Sequence, residues 1–189
     1  MKPHLWSGGV ALFLALGILG CSESLAPQNP GTPHEGAPLA MWVSTPSTVP
    51  FLAGQTIDVG EVTVSNDEQS LCVEIGTTGG WVMTETHVAI ALSVEELPQT
   101  GSGNPKIGQF ALAADHDPPV ASYDHCISLV AYQPGDMLFI AVHAAVELLD
   151  AGGAVLQEET AWAQGPEFPG QSWAMYFNYV VQECGGGGE

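Results

Sequence analysis

Strict alternation of apolar side chains is the feature that most constrains the fold of this chain. A period of two places every second side chain on the same face of a β-strand, whereas a helix requires a period of 3.6. The alternation predicts strands over residues 57–64, with an irregularity at Gly60, and over residues 71–75, 82–92, 138–148 and 173–181. The apolar faces of the last three comprise Val82, Val88, Ile90 and Leu92; Leu138, Ile140, Val142, Ala144, Val146 and Leu148; and Trp173, Met175, Phe177, Tyr179 and Val181.

Residues that favour turns separate the predicted strands. Gly79-Gly80, Pro118-Pro119 and Gly152-Gly153 can each reverse or interrupt the chain. Several short strands at this spacing are typical of an antiparallel β-sandwich. The best candidate for helix is a single turn at residues 94–97, with Ser93 as its N-cap. We therefore predict an all-β fold, with one antiparallel sandwich domain over residues 41–184.

The start of the chain has the layout of a bacterial signal peptide. A short, weakly basic segment precedes a mostly apolar run over residues 5–19, which is shorter than the roughly 20 residues that span a bilayer. The four residues Ile18-Leu19-Gly20-Cys21 resemble the lipobox, in which the signal peptidase cuts before a cysteine that carries lipid. The resemblance implies a signal peptide over residues 1–20 and lipid attachment at Cys21. Ser22 after that cysteine favours the outer membrane, if the cell has one.

A proline-rich segment follows the predicted lipid anchor. Residues 22–38 include four prolines among small and polar residues, so we predict that residues 21–40 are an extended linker. At about 3 Å per residue, this linker would hold the domain roughly 50 Å from the membrane. At the other end, residues 185–189 are four glycines and a glutamate, for which we predict disorder.

The charge of the mature chain is almost entirely negative. After cleavage Lys106 alone stands against 21 acidic residues, so the formal net charge is −20. Nucleic-acid binding depends largely on Lys and Arg side chains that neutralise phosphates. The composition therefore excludes nucleic acids and anionic lipid surfaces as partners. Cations, neutral sugars and basic proteins remain compatible with it.

Three cysteines lie beyond the predicted lipid anchor. Disulfides persist outside the cytoplasm, and an odd number of cysteines leaves one unpaired or bonded to another chain. Cys72 and Cys126 both lie in strand-like sequence, and we predict that they form a disulfide. Pairing of Cys184 with either of them is the competing possibility.

Two predicted strands each carry a histidine on the less apolar face. His87 shares its face with Trp81, Met83, Glu85, Ala89 and Ala91, and His143 shares its face with Phe139, Ala141, Ala145 and Glu147. On neighbouring strands the two imidazoles would meet on the outer side of the sheet. His116 and Asp117, with His125 nearby, would add ligands suited to zinc or copper. The alternative is that the histidines hydrogen-bond locally and the alanines let a loop approach the sheet.

Motifs for catalysis are absent from the sequence. Residues 170–174 depart from the Gly-x-Ser-x-Gly pattern of serine hydrolases at the last position, and no phosphate-binding loop is present. The carboxylates of Asp115 and Asp117 are close in sequence, but a solvated acidic loop accounts for them. Among the aromatic residues, Trp162 is the best candidate for an exposed ring that stacks on a sugar, but we favour the alternative that it is a structural plug.

An ordered series of short motifs resembles a family of secreted bacterial and archaeal surface modules, over residues 55–181. Ala163 replaces an expected glycine and Ser172 an expected asparagine. The resemblance implies a β-sandwich attached to envelope or multidomain surface proteins, and it transfers no catalytic residue. The motifs are Thr84-Glu85-Thr86-His87, Leu97-Pro98-Gln99, Gly103-Asn104-Pro105, Gly108-Gln109-Phe110, His116-Asp117-Pro118-Pro119-Val120, Ala141-Val142-His143-Ala144, Thr160-Ala161-Trp162, Phe168-Pro169-Gly170 and Trp173-Ala174-Met175-Tyr176-Phe177.

These observations predict a membrane-anchored extracytoplasmic lipoprotein with a non-enzymatic β-domain. The domain would bind an envelope protein or glycan, or help to build the envelope. One alternative is a protein that binds a divalent metal, namely zinc, copper or calcium, through the strand and loop histidines. A second alternative is a carbohydrate-binding module that uses Trp162.

Overall fold

The computed structural model describes residues 46–183, which form one antiparallel sheet of nine strands. The all-β prediction is therefore confirmed. The predicted signal peptide, linker, lipidated Cys21, Cys184 and glycine tail lie outside the described residues. Single turns of 3-10 helix occupy Val94–Glu96, Ile107–Gln109 and Leu129–Ala131. The strands are β1 (Ser47–Ala53), β2 (Ile57–Asn66), β3 (Ser70–Thr77), β4 (Trp81–Ala91), β5 (Leu112–Val120), β6 (Ser122–Ser128), β7 (Met137–Leu149), β8 (Val155–Ala163) and β9 (Phe177–Val180).

The sheet curls until its two edges approach each other. Its strand order is β5-β4-β7-β8-β1-β2-β3-β6, and β9 pairs with the first residues of β7. The two end strands, β5 and β6, are separated in the chain by Ala121 alone. The carbonyl oxygen of Ala121 accepts a hydrogen bond from the Thr77 amide at the end of β3 (2.8 Å). The predicted sandwich is thus one continuous sheet, nearly closed like a barrel.

The interior of the curled sheet is the main core. Alternate residues of every long strand point into it, as the sequence pattern predicts. Phe51, Leu71, Ile75, Leu138 and Ile140 are completely buried there. Burying each such side chain is worth about 1.5–3 kcal/mol, so the interior accounts for much of the favourable free energy of folding. No helix within residues 46–183 is long and apolar enough to cross a membrane.

Gly60 stands at a register shift, as predicted. Phe51 of β1 pairs with Gly60, and the next residue of β1 pairs with Asp58. Gly60 has a φ of +150°, and a Cβ there would collide with the carbonyl oxygen of Gly76 on β3. Only glycine fits this close approach of two backbones.

A bulge in β4 corrects the predicted faces of that strand. The register with β7 shifts between Met83 and Glu85, so Thr84 is an extra residue on β4. One extra residue reverses the alternation of all side chains on one side of it. Trp81 and Met83 therefore face the main core, whereas we predicted that they share a face with His87. Glu85 and His87, beyond the bulge, point to the opposite face.

That opposite face, called the outer face below, is covered rather than solvated. Residues 92–111 and 164–176 fold over β4, β7 and β8 and bury a second apolar cluster. Small side chains on the strands let these two segments approach the sheet, as the alternative interpretation of the alanines predicts. The second cluster comprises Ala89, Ala91, Leu97, Phe110, Ala141, Trp162, Phe168, Ala174 and Met175.

Asn104 joins the two covering segments to each other. Its side-chain oxygen accepts hydrogen bonds from the backbone amides of Gln171 (2.9 Å) and Ser172 (3.0 Å). The amide of Gly170 also donates to the carbonyl oxygen of Gly103 (3.2 Å). Two of the motifs that carry the resemblance, at residues 103–105 and 168–170, are therefore in contact.

Other local predictions were wrong where a covering segment replaces regular structure. The last strand spans only Phe177–Val180, because the residues before it cross the second cluster, where Met175 is buried.

Pro118-Pro119 lies within β5 rather than in a turn. The helical turn at residues 94–96 is confirmed, but the Ser93 side chain makes no capping hydrogen bond.

Candidate functional site

A disulfide joins Cys72 to Cys126, as predicted. The two residues lie directly opposite each other on β3 and β6, with their Cα atoms 4.1 Å apart. Cys126 is exposed and Cys72 is half-buried, so the bond lies on the outside of the sheet. The bond closes a loop with a sequence separation of 54 residues. A disulfide that closes a loop of this length stabilises the folded state by about 4 kcal/mol, because it lowers the entropy of the unfolded chain.

Three side chains on the outer face lie in one row across three neighbouring strands. His143 of β7 is in register with His87 of β4 on one side and with Trp162 of β8 on the other. The ring centroids of His87 and His143 are 5.8 Å apart, and those of His143 and Trp162 are 4.9 Å apart. Both histidines are buried, with 8% and 6% of their surface exposed. We call Glu85, His87, His143 and Trp162 the His87 group.

Glu85 determines which nitrogen of His87 carries a proton. Nε2 of His87 lies 2.5 Å from Oε1 of Glu85, whose side chain is 44% exposed. An ionised carboxylate only accepts hydrogen bonds, so Nε2 must donate. In a neutral imidazole this leaves Nδ1 as a bare acceptor.

The Nδ1 atoms of both histidines are buried without a partner. Among the described residues, neither Nδ1 of His87 nor Nδ1 of His143 has a hydrogen bond. Leaving a buried polar atom unsatisfied costs about 1–3 kcal/mol. Burial lowers the pKa of His143 to about 4, and the neighbouring His87 lowers it further in the same direction. His143 is therefore a neutral imidazole near pH 7, with a free lone pair on one of its nitrogens.

The interior side of β4 holds a different histidine arrangement, which we call the Thr86 group. The Thr86 hydroxyl is 3.0 Å from Nε2 of His116 on β5 and 2.9 Å from Nε2 of His125 on β6. The Tyr123 ring lies against both imidazoles, with centroid distances of 4.5 Å and 4.9 Å. Thr86 therefore links the two end strands of the sheet from inside.

In the Thr86 group, the Thr86 hydroxyl and Nε2 of both histidines have hydrogen-bond partners. A hydroxyl has one proton and two lone pairs, so at least one of the two histidines donates to Thr86. Burial lowers the pKa of His116 and of His125, and a proton on His116 further lowers that of His125. Neutral imidazoles are thus the stable form of this network near pH 7.

The predicted metal ligands do not form one site. His87 and His143 meet, but His116 is held by Thr86 on the other side of β4, because successive side chains of a strand point to opposite faces. Asp117 is exposed, in a stretch of β5 that bulges away from β4. Within residues 46–183 no three His, Cys, Asp or Glu side chains are arranged to hold a metal ion.

Trp162 is a buried residue of the second cluster, not the exposed aromatic residue that stacking on a sugar requires. Only 4% of its surface is accessible. Its ring contacts His143, Phe110 and Phe168, the last two at centroid distances of 6.3 Å. The structural alternative, a plug between the sheet and its covering segments, describes its position.

A cleft that no sequence pattern indicated lies at the end of the sheet. It encloses about 570 Å³ beside residues 181–183, and its lining includes the carboxylates of Asp67, Glu68 and Glu183. Asn66 holds the adjacent backbone, since its side-chain oxygen accepts from the Gln182 amide (2.9 Å). The acidic lining suits a cation or a basic side chain better than an anion.

Sequence reasoning named His125 as an additional ligand but missed its bond to Thr86. Thr86 next to His87 was the signal that could have indicated this bond. Successive side chains of a strand point to opposite faces, so Thr86 must face the interior when His87 faces outward. No family model, curated protein or solved structure matches this chain. The resemblance to secreted surface modules therefore stays a prediction.

Proposed function

We propose that this chain is a lipid-anchored extracytoplasmic protein whose β-domain binds to, or helps to build, the cell envelope without catalysing a reaction. The observation that carries the proposal is Ile18-Leu19-Gly20-Cys21 at the end of a short apolar run. A lipidated cysteine with two or three acyl chains holds a protein on a membrane stably, whereas one chain binds only marginally. The proline-rich residues that follow supply a spacer between anchor and domain.

The described domain has two properties that suit display outside the cytoplasm. Its disulfide between Cys72 and Cys126 lies on the surface, where it persists only in an oxidising compartment. The outer face of β4 and β7 is covered by the chain's own segments. A module of this kind can stand alone at the end of a spacer.

Charge favours one class of partner. With a formal net charge of −20 on the mature chain, long-range attraction acts on cations and on basic protein surfaces. The acidic cleft beside Glu183 points in the same direction. A sugar ligand has less support, because the Trp162 ring is covered. A basic envelope protein is the partner class that we favour.

Replacement of Cys21 tests the anchor. Cys21→Ser should abolish metabolic labelling with palmitate and move the protein from the membrane fraction to the soluble extracytoplasmic fraction. Cys184→Ser is the matched control, because it removes a cysteine of the mature chain that lies outside the proposed lipobox. It should leave both labelling and fractionation unchanged.

Two results would contradict the proposal. If membrane association and labelling persist in Cys21→Ser, Cys21 is not the lipid anchor. If the purified chain turns over a substrate and a single substitution in the domain abolishes that turnover, the domain is an enzyme.

A further inference from the structure

The His87 group differs from an ordinary buried histidine pair in its unused nitrogen atoms. Two imidazoles on adjacent strands each present a buried Nδ1 without a hydrogen bond among the described residues. Buried polar atoms in native proteins almost always have a partner, so each exception requires an explanation. Here two exceptions occur on rings whose centroids are 5.8 Å apart.

We propose that His87 and His143 are the protein ligands of a late first-row transition-metal ion, zinc or copper, with Glu85 as the outer partner of His87. Neutral imidazole nitrogen is a preferred ligand for these ions. Metal–nitrogen bonds of about 2.0–2.1 Å allow one ion to bridge two rings at this separation. Water completes the coordination, as in sites that keep open positions.

The Glu85 contact supports a metal site specifically. A histidine that binds a metal usually donates its other ring N–H to a carboxylate, which orients the ring and makes the free nitrogen a better ligand. Glu85 accepts from Nε2 of His87 in this way and leaves Nδ1 for the ion. Because the Glu85 side chain is 44% exposed, it also connects the buried pair to solvent. The negative net charge of the chain raises the local concentration of cations.

The competing occupant of the site is a buried water molecule. One water has two protons and can donate to both Nδ1 atoms if they are unprotonated. A water would satisfy the pair without any selectivity for metal. The two possibilities therefore differ in whether added metal stabilises the protein.

Thermal unfolding of the full chain, purified in detergent without a histidine tag and stripped with a chelator, tests this proposal. Zinc chloride and copper(II) chloride are titrated separately, and calcium chloride is the control because calcium requires oxygen ligands. We expect zinc or copper to raise Tm with one ion bound per chain, and calcium to have no effect.

Single substitutions locate the ion. Glu85→Gln should weaken binding about 10- to 100-fold, which is the usual effect of losing an outer partner. It replaces a half-exposed side chain, so the chain should still fold, whereas His143→Gln should abolish binding. His34→Gln and His125→Gln are matched controls that should leave affinity unchanged, since one lies in the spacer and the other in the Thr86 group.

The proposal is overturned by three outcomes. The first is that neither zinc nor copper binds stoichiometrically. The second is that neither Glu85→Gln nor His143→Gln changes the binding, and the third is that either control variant loses it. Membrane fractionation of the same variants keeps this test separate from the proposed anchor, because none of the substitutions touches Cys21.

Discussion

Two neighbouring residues of β4 place histidines in opposite situations. Thr86 points inward and joins His116 to His125, so that Nε2 of each histidine has a hydrogen-bond partner. His87 points outward to His143, and the pair leaves two buried nitrogen atoms unused. His87, His125 and His143 are buried, His116 is half-buried, and both groups contain aromatic contacts. The difference shows that burial of a histidine does not reveal its role, whereas the hydrogen bonds of its two nitrogens do.

The comparison assigns a structural role to one group and a binding role to the other. The Thr86 group connects β5, β4 and β6, where the sheet would otherwise be open at its edges. The His87 group links β4, β7 and β8, which are already joined by backbone hydrogen bonds. The two imidazoles therefore add no connection between strands that the backbone lacks, and they are available for a ligand, whereas Trp162 packs in the second cluster.

Replacing the tryptophan of the His87 group should have the largest effect. Trp162→Ala should lower the free energy of unfolding by about 3–5 kcal/mol, because it empties the centre of the second cluster. Urea unfolding measures this loss, with the partly buried Trp173→Ala as a control of smaller effect. A loss below about 1 kcal/mol would mean that Trp162 is not a core residue, and the sugar-stacking role would return.

Acid should destabilise the metal-free protein through its neutral histidines. The pKa of His143 is about 4 in the folded chain and 6.5 in the unfolded chain. Above pH 6.5 the His143 imidazole is unprotonated in both the folded and the unfolded chain. Below pH 6.5 the unfolded chain binds the proton and the folded chain does not, so the free energy of unfolding falls as the pH drops to about 4. This difference in the pKa of His143 corresponds to a loss of about 3 kcal/mol in the free energy of unfolding. The lowered pKa values of His116 and His125 act in the same direction.

His143→Gln separates the two groups in this experiment. The variant should lose the His143 contribution, about 3 kcal/mol, to the acid dependence of its unfolding free energy between pH 7 and pH 4, as followed by urea unfolding with a chelator present. An unchanged dependence would place the titrating histidines in the Thr86 group instead.

Removing the Thr86 hydroxyl should have an effect of about 2–3 kcal/mol. Thr86→Val keeps the shape of the side chain but takes the partner away from Nε2 of both His116 and His125. Thr84→Val is the matched control, because that hydroxyl makes only one long bond, 3.4 Å, to the carbonyl oxygen of Ala145. Equal losses in the two variants would contradict the structural role of the Thr86 group.

Alternation in the sequence predicted the strands that are apolar on one face. It identified residues 138–148 as a long strand, and it placed the disulfide correctly because Cys72 and Cys126 lie in strand-like sequence. It missed β8, whose Glu158 and Glu159 are followed by buried Trp162 without a regular period. A strand covered on both faces at one end has no simple alternation.

Register and tertiary contact account for the remaining errors. The extra residue Thr84 reverses the faces of β4, and no local pattern marks it. The outer face is buried because residues 92–111 and 164–176 meet above the sheet. Asn104 joins these two segments by accepting hydrogen bonds from Gln171 and Ser172, which lie 67 and 68 positions further along the chain. Interactions at such separations have no signature in a single sequence. The sequence indicated that His87 and His143 would meet if their strands were neighbours, and the pairing of β4 with β7 fulfils that condition.

The protonation of the imidazole nitrogens tests the central comparison most directly. Long-range proton–nitrogen NMR correlations of the metal-free chain, recorded near pH 7 with and without zinc, report the state of Nδ1 and Nε2 in every histidine. We expect His87 to carry its proton on Nε2, and we expect the nitrogen signals of His87 and His143 to shift with zinc while those of His116 and His125 stay unchanged. A proton on Nδ1 of His87, or a zinc response confined to His116 and His125, would contradict the account.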